Sequence, residues 1–83
     1  MSIDKDSLRK GYWHIYKNRF GLVEQLKSIH HLLPEYFARL GFISYGVNNV
    51  GELRYHTTEY GAEKARLNYI AITAVLTSET VVK

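Results

Sequence analysis

Cysteine is absent from this chain, which excludes disulfides and thiolate metal sites and permits a reducing compartment. Proline occurs once, at Pro34, so no proline-rich linker or polyproline segment exists. Long apolar runs are missing too. No window approaches the ~18 residues of a membrane span, and no membrane partner is expected. The opening Met1-Ser2-Ile3-Asp4-Lys5-Asp6 lacks the apolar stretch of a signal peptide. The expected location is cytoplasmic. Internal repeats and low-complexity tracts are also absent.

A strong charge imbalance is lacking as well. The formal net charge is +3. Residues 1–41 carry seven Lys/Arg against four Asp/Glu, whereas residues 42–83 carry four of each. A modest basic excess on the first half fits a polyanion partner, and a solvated surface accounts for it equally well. Hydrophobic residues make up 46% and charged residues 23%, as in ordinary globular domains. Eighty-three residues make one domain, 1–83, with a small core that self-association would reinforce.

Chemical motifs are scarce. No nucleophile–base pair, phosphate loop or carboxylate dyad stands at a usable spacing, so no catalytic residue and no cofactor is expected. His14, His30, His31 and His56 do not form a metal motif. On a helix, the adjacent His30 and His31 would point about 100° apart, and no Cys or acidic cluster completes a ligand set. Tyr12, Trp13, Tyr16, Lys17, Arg19 and Phe20 interleave rings and cations. Core plus a rim of long basic side chains explains them better than a stacking platform for single strands.

The periodicity predicts a mostly helical α+β chain. Asp4, Asp6 and Ser7 offer cap acceptors to a first helix over about 6–20. Leu8, Tyr12, Ile15, Tyr16 and Phe20 form its stripe, and Gly21 stands as its stop. Gly11 weakens that helix. Residues 22–31 form a second helix with Leu22, Val23, Leu26 and Ile29 inward. Pro34 opens a third, 34–40, with Leu33, Phe37 and Leu40 inward and Glu35, Tyr36 and Arg39 outward. Two strands follow, 42–47 and 52–56, in which Phe42 and Ser44, Leu53 and Tyr55 alternate. The loop between them, Asn48-Asn49-Val50-Gly51, tolerates positive φ. Gly41 or Gly51 should adopt it.

Thr57 or Thr58 caps a last helix, 58–77, before a tail at 80–83. Ala62, Ala65, Tyr69, Ile72 and Leu76 point inward. A second apolar set, Leu67, Ile70, Ala71, Ala74 and Val75, widens the stripe past one face. Such a helix should be covered on two sides. The expected cover is a second copy of the chain, through Leu67, Ile70, Ala74 and Val75.

Two local matches carry a resemblance. Leu40-Gly41-Phe42-Ile43 looks like the junction where a recognition helix enters a wing. Tyr55-His56-Thr57-Thr58-Glu59-Tyr60-Gly61 looks like the start of the helix after the wing in many bacterial regulators. Together, across a hairpin, they resemble the winged helix-turn-helix family over residues 22–77. The resemblance implies three helices, a two-stranded wing and a long C-terminal helix. It implies a small bacterial or phage-type transcriptional regulator that binds double-stranded DNA as a homodimer. Tyr36 and Arg39 would meet phosphate and base edges, Asn48, Asn49 and Arg54 would meet the backbone or minor groove from the wing, and Lys27, Ser28, His30 and His31 would meet phosphates. A short third helix and a single wing cation, Arg54, depart from the pattern. They keep open a second expectation, a winged-helix protein-interaction module such as a viral or plasmid inhibitor or adaptor.

Overall fold

The computed structural model describes residues 2–81, with the side chains of residues 2–77. Its elements run α1 (Lys5–Lys17), β1 (Phe20–Leu22), α2 (Val23–Ile29), α3 (Leu33–Arg39), β2 (Ile43–Val47), β3 (Leu53–Thr57) and α4 (Glu59–Val81). The chain is α+β and mostly helical, as expected. The strand count differs: three antiparallel strands lie in the order β1-β3-β2, where the sequence predicted two.

Local chemistry sets most boundaries. The Asp4 carboxylate caps α1 by accepting from the Ser7 amide at 3.0 Å and the Ser7 hydroxyl at 2.8 Å. These bonds hold the Asp4 carboxyl below the usual carboxylate range. Asn18 ends α1 in an extended conformation, its amide N–H donating to the His14 carbonyl at 2.8 Å. The helix therefore stops three residues before the predicted end. Phe20, assigned inward by helical spacing, is 72% exposed. Gly21 is no helix stop but the buried centre of β1, opposite Tyr55. A Cβ there would lie 2.9 Å from the Tyr55 ring and 2.8 Å from the Gln25 amide oxygen. α2 begins with half a capping box, in which the Gln25 side chain accepts from the Leu22 amide at 3.1 Å.

Pro34 sits in the first turn of α3, where its missing N–H costs nothing. Leu40 falls beyond that helix and is 42% exposed, not inward as expected. Gly41 and Gly51 both have positive φ, 81° and 83°, as the turn chemistry requires. In the hairpin, Gly51 supplies the left-handed residue alone, because no non-glycine residue has positive φ among those described. Asn48 and Asn49 are therefore not used for that property. In β2 the inward residue is Ile43, while Ser44 is exposed. α4 continues through Val81, so the predicted tail is helical at 80 and 81, and its remainder lies outside the described residues.

One buried cluster joins the four helices to β2 and β3. Tyr12 and Ile15 of α1 meet Val23 and Leu26 of α2, Leu33 and Phe37 of α3, Phe42, Ile43, Tyr55 and Ala65. Ala62 and Ala65 seat α4 closely, with Tyr69 and Ile72 half-buried beyond them. Thr57, buried at the end of β3, donates its hydroxyl to the Ile15 carbonyl at 2.9 Å and so ties α1 to the sheet. Tyr55 donates to the Asn18 carbonyl at 2.7 Å. Burial pushes the Tyr55 phenol up to about 12.

His14 gives the fold a pH dependence. Its Nε2 is out of water and has no hydrogen-bond partner. Burial lowers its pKa below 6.5. Gln25 pulls the other way, but its amide oxygen already accepts from Leu22, so burial dominates. The unfolded chain thus binds the proton more readily than the fold. Stability is full above about pH 6.5 and declines as pH falls from there toward the folded-state pKa. We expect the melting temperature to drop between pH 7.5 and pH 5.5, and the drop to shrink in His14→Gln. Equal drops in the two proteins would contradict this account.

Candidate nucleic-acid interface

The outward face of α3 carries Glu35, Tyr36 and Arg39, all exposed. Arg39 donates to the Glu35 carboxylate at 2.9 Å, an i,i+4 pair whose side chains are 75% and 68% exposed. Such pairs contribute about 0.3–0.5 kcal/mol and open readily for a better partner. Tyr36 is 36% exposed. It lies beside the Tyr12 phenol, whose pKa is raised first by burial and then by Tyr36. A cleft of about 400 Å³ runs beside α3, between Ile3, Leu8, Leu32, Tyr36 and the Glu35–Arg39 pair.

The turn before α3 holds His30 and His31. α2 ends at Ile29, and His30 is extended. The two rings therefore stack, 4.9 Å apart and 14° from parallel, instead of diverging as they would on a helix. His30 Nδ1 accepts from the Leu32 amide at 3.1 Å, which fixes the turn and leaves His31 exposed. No metal-binding group of three or more ligands exists among the described residues. Ser28 spends its hydroxyl proton on the Gln25 carbonyl at 2.9 Å. Lys27 is exposed, with no ion pair among the described residues.

At the hairpin tip, Asn48 serves the turn. Its side-chain oxygen accepts from the Val50 and Glu52 amides at 3.1 and 2.9 Å, and its NH₂ donates to Glu52 at 3.1 Å. That leaves little of the Asn48 amide for a ligand. Asn49 makes no such bond and is exposed. Arg54 Nε lies 3.4 Å from the Glu52 carboxylate. Asn48 and Arg54 together hold the Glu52 carboxyl below the usual range. Around Arg54 the tip is apolar and open, with Val47 67% and Val50 77% exposed.

Comparison with protein-family models, curated proteins and solved structures finds no match. The physical arrangement is therefore the whole basis for a reading. Eight of the residues singled out for nucleic acid, Lys27, Ser28, His31, Tyr36, Arg39, Asn48, Asn49 and Arg54, are exposed. They fall on three pieces of surface, the α2–α3 turn, α3 and the hairpin. Both arginines have carboxylate partners, so the surface is closer to neutral than the cation positions imply.

The aromatic–basic run of the first helix is divided. Tyr12 is core. Trp13 packs on Tyr69 at 5.0 Å, with the Lys17 ammonium 5.2 Å from the Trp13 ring centre. Phe20 lies on the sheet, stacked on His56 at 5.0 Å. Helical spacing hid this last pair, because the strand register that unites Phe20 with His56 is non-local.

Proposed function

We propose that this chain is a small winged helix-turn-helix regulator that binds duplex DNA as a homodimer. The observation that carries the reading is the element order. Helices α1, α2 and α3 precede a hairpin, and α4 follows, with Gly41 and Thr58 at the two junctions. In this reading α3 enters the major groove with Tyr36 and Arg39. Arg54 and Asn49 reach the backbone from the wing, and Lys27 and His31 meet phosphate. Phosphate approaching Arg39 or Arg54 replaces a weak, exposed carboxylate pair with a stronger charge-assisted one.

A mobility shift with random duplex DNA, followed by selection of bound sequences, tests the reading. Arg54→Ala should weaken all sequences about equally. Arg39→Ala should also change the preferred sequence, at about 1–3 kcal/mol if the guanidinium holds a base by two hydrogen bonds. Unchanged binding in both variants would remove these residues from the site.

The homodimer rests on α4. Leu67, Ile70 and Val75 are 45%, 54% and 43% exposed, and Ala71 and Ala74 are exposed beside them. Tyr60, Glu63, Leu67, Ile70 and Ala74 follow alternating steps of three and four, the spacing of a coiled-coil seam. The seam lies on the side of α4 opposite Ala65 and Tyr69. A two-fold pairing would bury it and set two α3 helices on a pseudo-palindromic site. Sedimentation should give twice the 9.6 kDa chain mass. Because Ile70 contributes nothing to the core, Ile70→Glu should yield a folded monomer. A wild-type monomer at micromolar concentration would refute the dimer.

One observation favours a second reading, a protein-interaction module. The tip presents Val47 and Val50 rather than free cations, and both arginines are paired. Absence of duplex binding at low salt would give that reading precedence.

A further inference from the structure

Beside Arg54, the outer face of the sheet carries a group of residues that the duplex reading does not use. Strand register places Phe20, His56 and Ser44 in one row across β1, β3 and β2. Leu22, Arg54 and Gly46 form the next row, one two-residue repeat or about 6.6 Å along. Phe20 is 72% exposed, and its ring stacks on His56 with 27° between planes. At Gly46 a Cβ would meet nothing within 4 Å, so the sheet is open beside Arg54. Arg19, adjoining Phe20, is exposed and among the described residues has neither ion pair nor hydrogen-bonded side chain. Among the described residues, Glu52, partner of Arg54, is the one carboxylate bonded to a cation of this face.

We propose that this face binds single-stranded nucleic acid, with a base stacked on the exposed Phe20 ring and phosphate held by Arg54 and Arg19. The occupant follows from two properties that coincide here. An exposed ring braced by a second ring offers a flat apolar surface, and every base has a flat face to lay on it. Beyond the Arg54–Glu52 pair, Arg19 leaves a positive charge beside Phe20, which favours a polyanion over an apolar peptide. A duplex hides its base faces in the stack, so this surface and α3 take different forms of nucleic acid. The inference does not rest on the duplex reading.

A labelled thymidine oligonucleotide of about 12 nucleotides is the probe, with a duplex of equal length as comparison. The protein should bind the single strand at low salt. Phe20→Ala should weaken that binding about tenfold or more, the effect of losing one stacked base. Phe20→Tyr, which keeps the ring, should retain it, and Arg39→Ala should not alter it. Phe20 faces solvent, so its removal leaves the core intact. Duplex affinity should stay within about twofold in Phe20→Ala, since Phe20 lies outside that surface. Single-strand binding that ignores Phe20, or none at low salt, would overturn the inference. Loss of duplex binding with Phe20-dependent single-strand binding retained would overturn the duplex reading alone.

Discussion

Gly61→Ala should destabilise the protein by about 3 kcal/mol or prevent folding, the upper range for overfilling a packed site. A Cβ at this position would sit inside the Phe42 backbone, against its carbonyl oxygen, carbonyl carbon and Cα. None of these atoms can rotate away as a side chain does. The first turn of α4 is also pinned from other directions. Thr58 donates its amide to the Phe42 carbonyl at 3.0 Å and its hydroxyl to the Gly41 carbonyl at 2.8 Å. The same hydroxyl accepts from the Gly61 amide at 2.9 Å and caps the helix. Moving α4 outward to admit one methyl group would break this junction. Gly46→Ala is the control, because its Cβ would meet open space. Its effect should stay within about 0.5 kcal/mol. Similar melting temperatures for the two variants would show that the close approach of α4 to Phe42 is misplaced.

Phe37→Ala should cost about 3–5 kcal/mol. Phe37 is fully buried and central to an aromatic group, 5.2 Å from the Tyr12 ring centre and 6.1 Å from that of Phe42. It also faces Gly11, where an added Cβ would lie 3.1 Å from the Phe37 ring. The close pass of α1 over α3 leaves nothing able to fill the space. The loss should appear in chemical denaturation as a lower midpoint with little change in slope. Since Phe37 is the inward anchor of α3, Arg39 and Tyr36 should lose their fixed placement as well. Phe37→Leu should retain more stability, as it keeps most of the apolar volume. A cost under 1 kcal/mol for the alanine variant would be inconsistent with a packed core at this point.

The parts of this fold legible in the sequence are those with local causes. Gly41 and Gly51 mark the two left-handed positions, Pro34 marks the start of α3, and Asp4 and Ser7 mark the start of α1. Each signal lies within a few residues of its effect. β1 has no such signal. Three residues around a glycine become a strand only because Tyr55, 34 positions away by number, covers Gly21. Helical extrapolation then carried Phe20 inward, and the ring pair with His56 was lost with it. Gly11, Gly21 and Gly61 share one explanation, the passage of one element close over another, which composition cannot reveal. The apolar outer seam of α4 was legible because helical spacing separates two stripes on one helix. Exposure of Arg39 and Arg54 was legible as well. Their pairing with Glu35 and Glu52, and its consequence, a nearly neutral candidate surface, emerge only from the geometry.

Salt dependence of duplex binding tests the central claim most directly. A protein that meets DNA through Lys27, Arg39 and Arg54 displaces condensed counterions. A plot of log affinity against log salt should then be linear and steep, with a slope near −0.9 for each phosphate neutralised. The proposed dimer would offer two sets of these cations, so the slope should fall by roughly two units in Arg54→Ala, one for each copy. The account predicts that result on random duplex DNA at low ionic strength. Binding that is absent there, or a slope that does not change in Arg54→Ala, would contradict it.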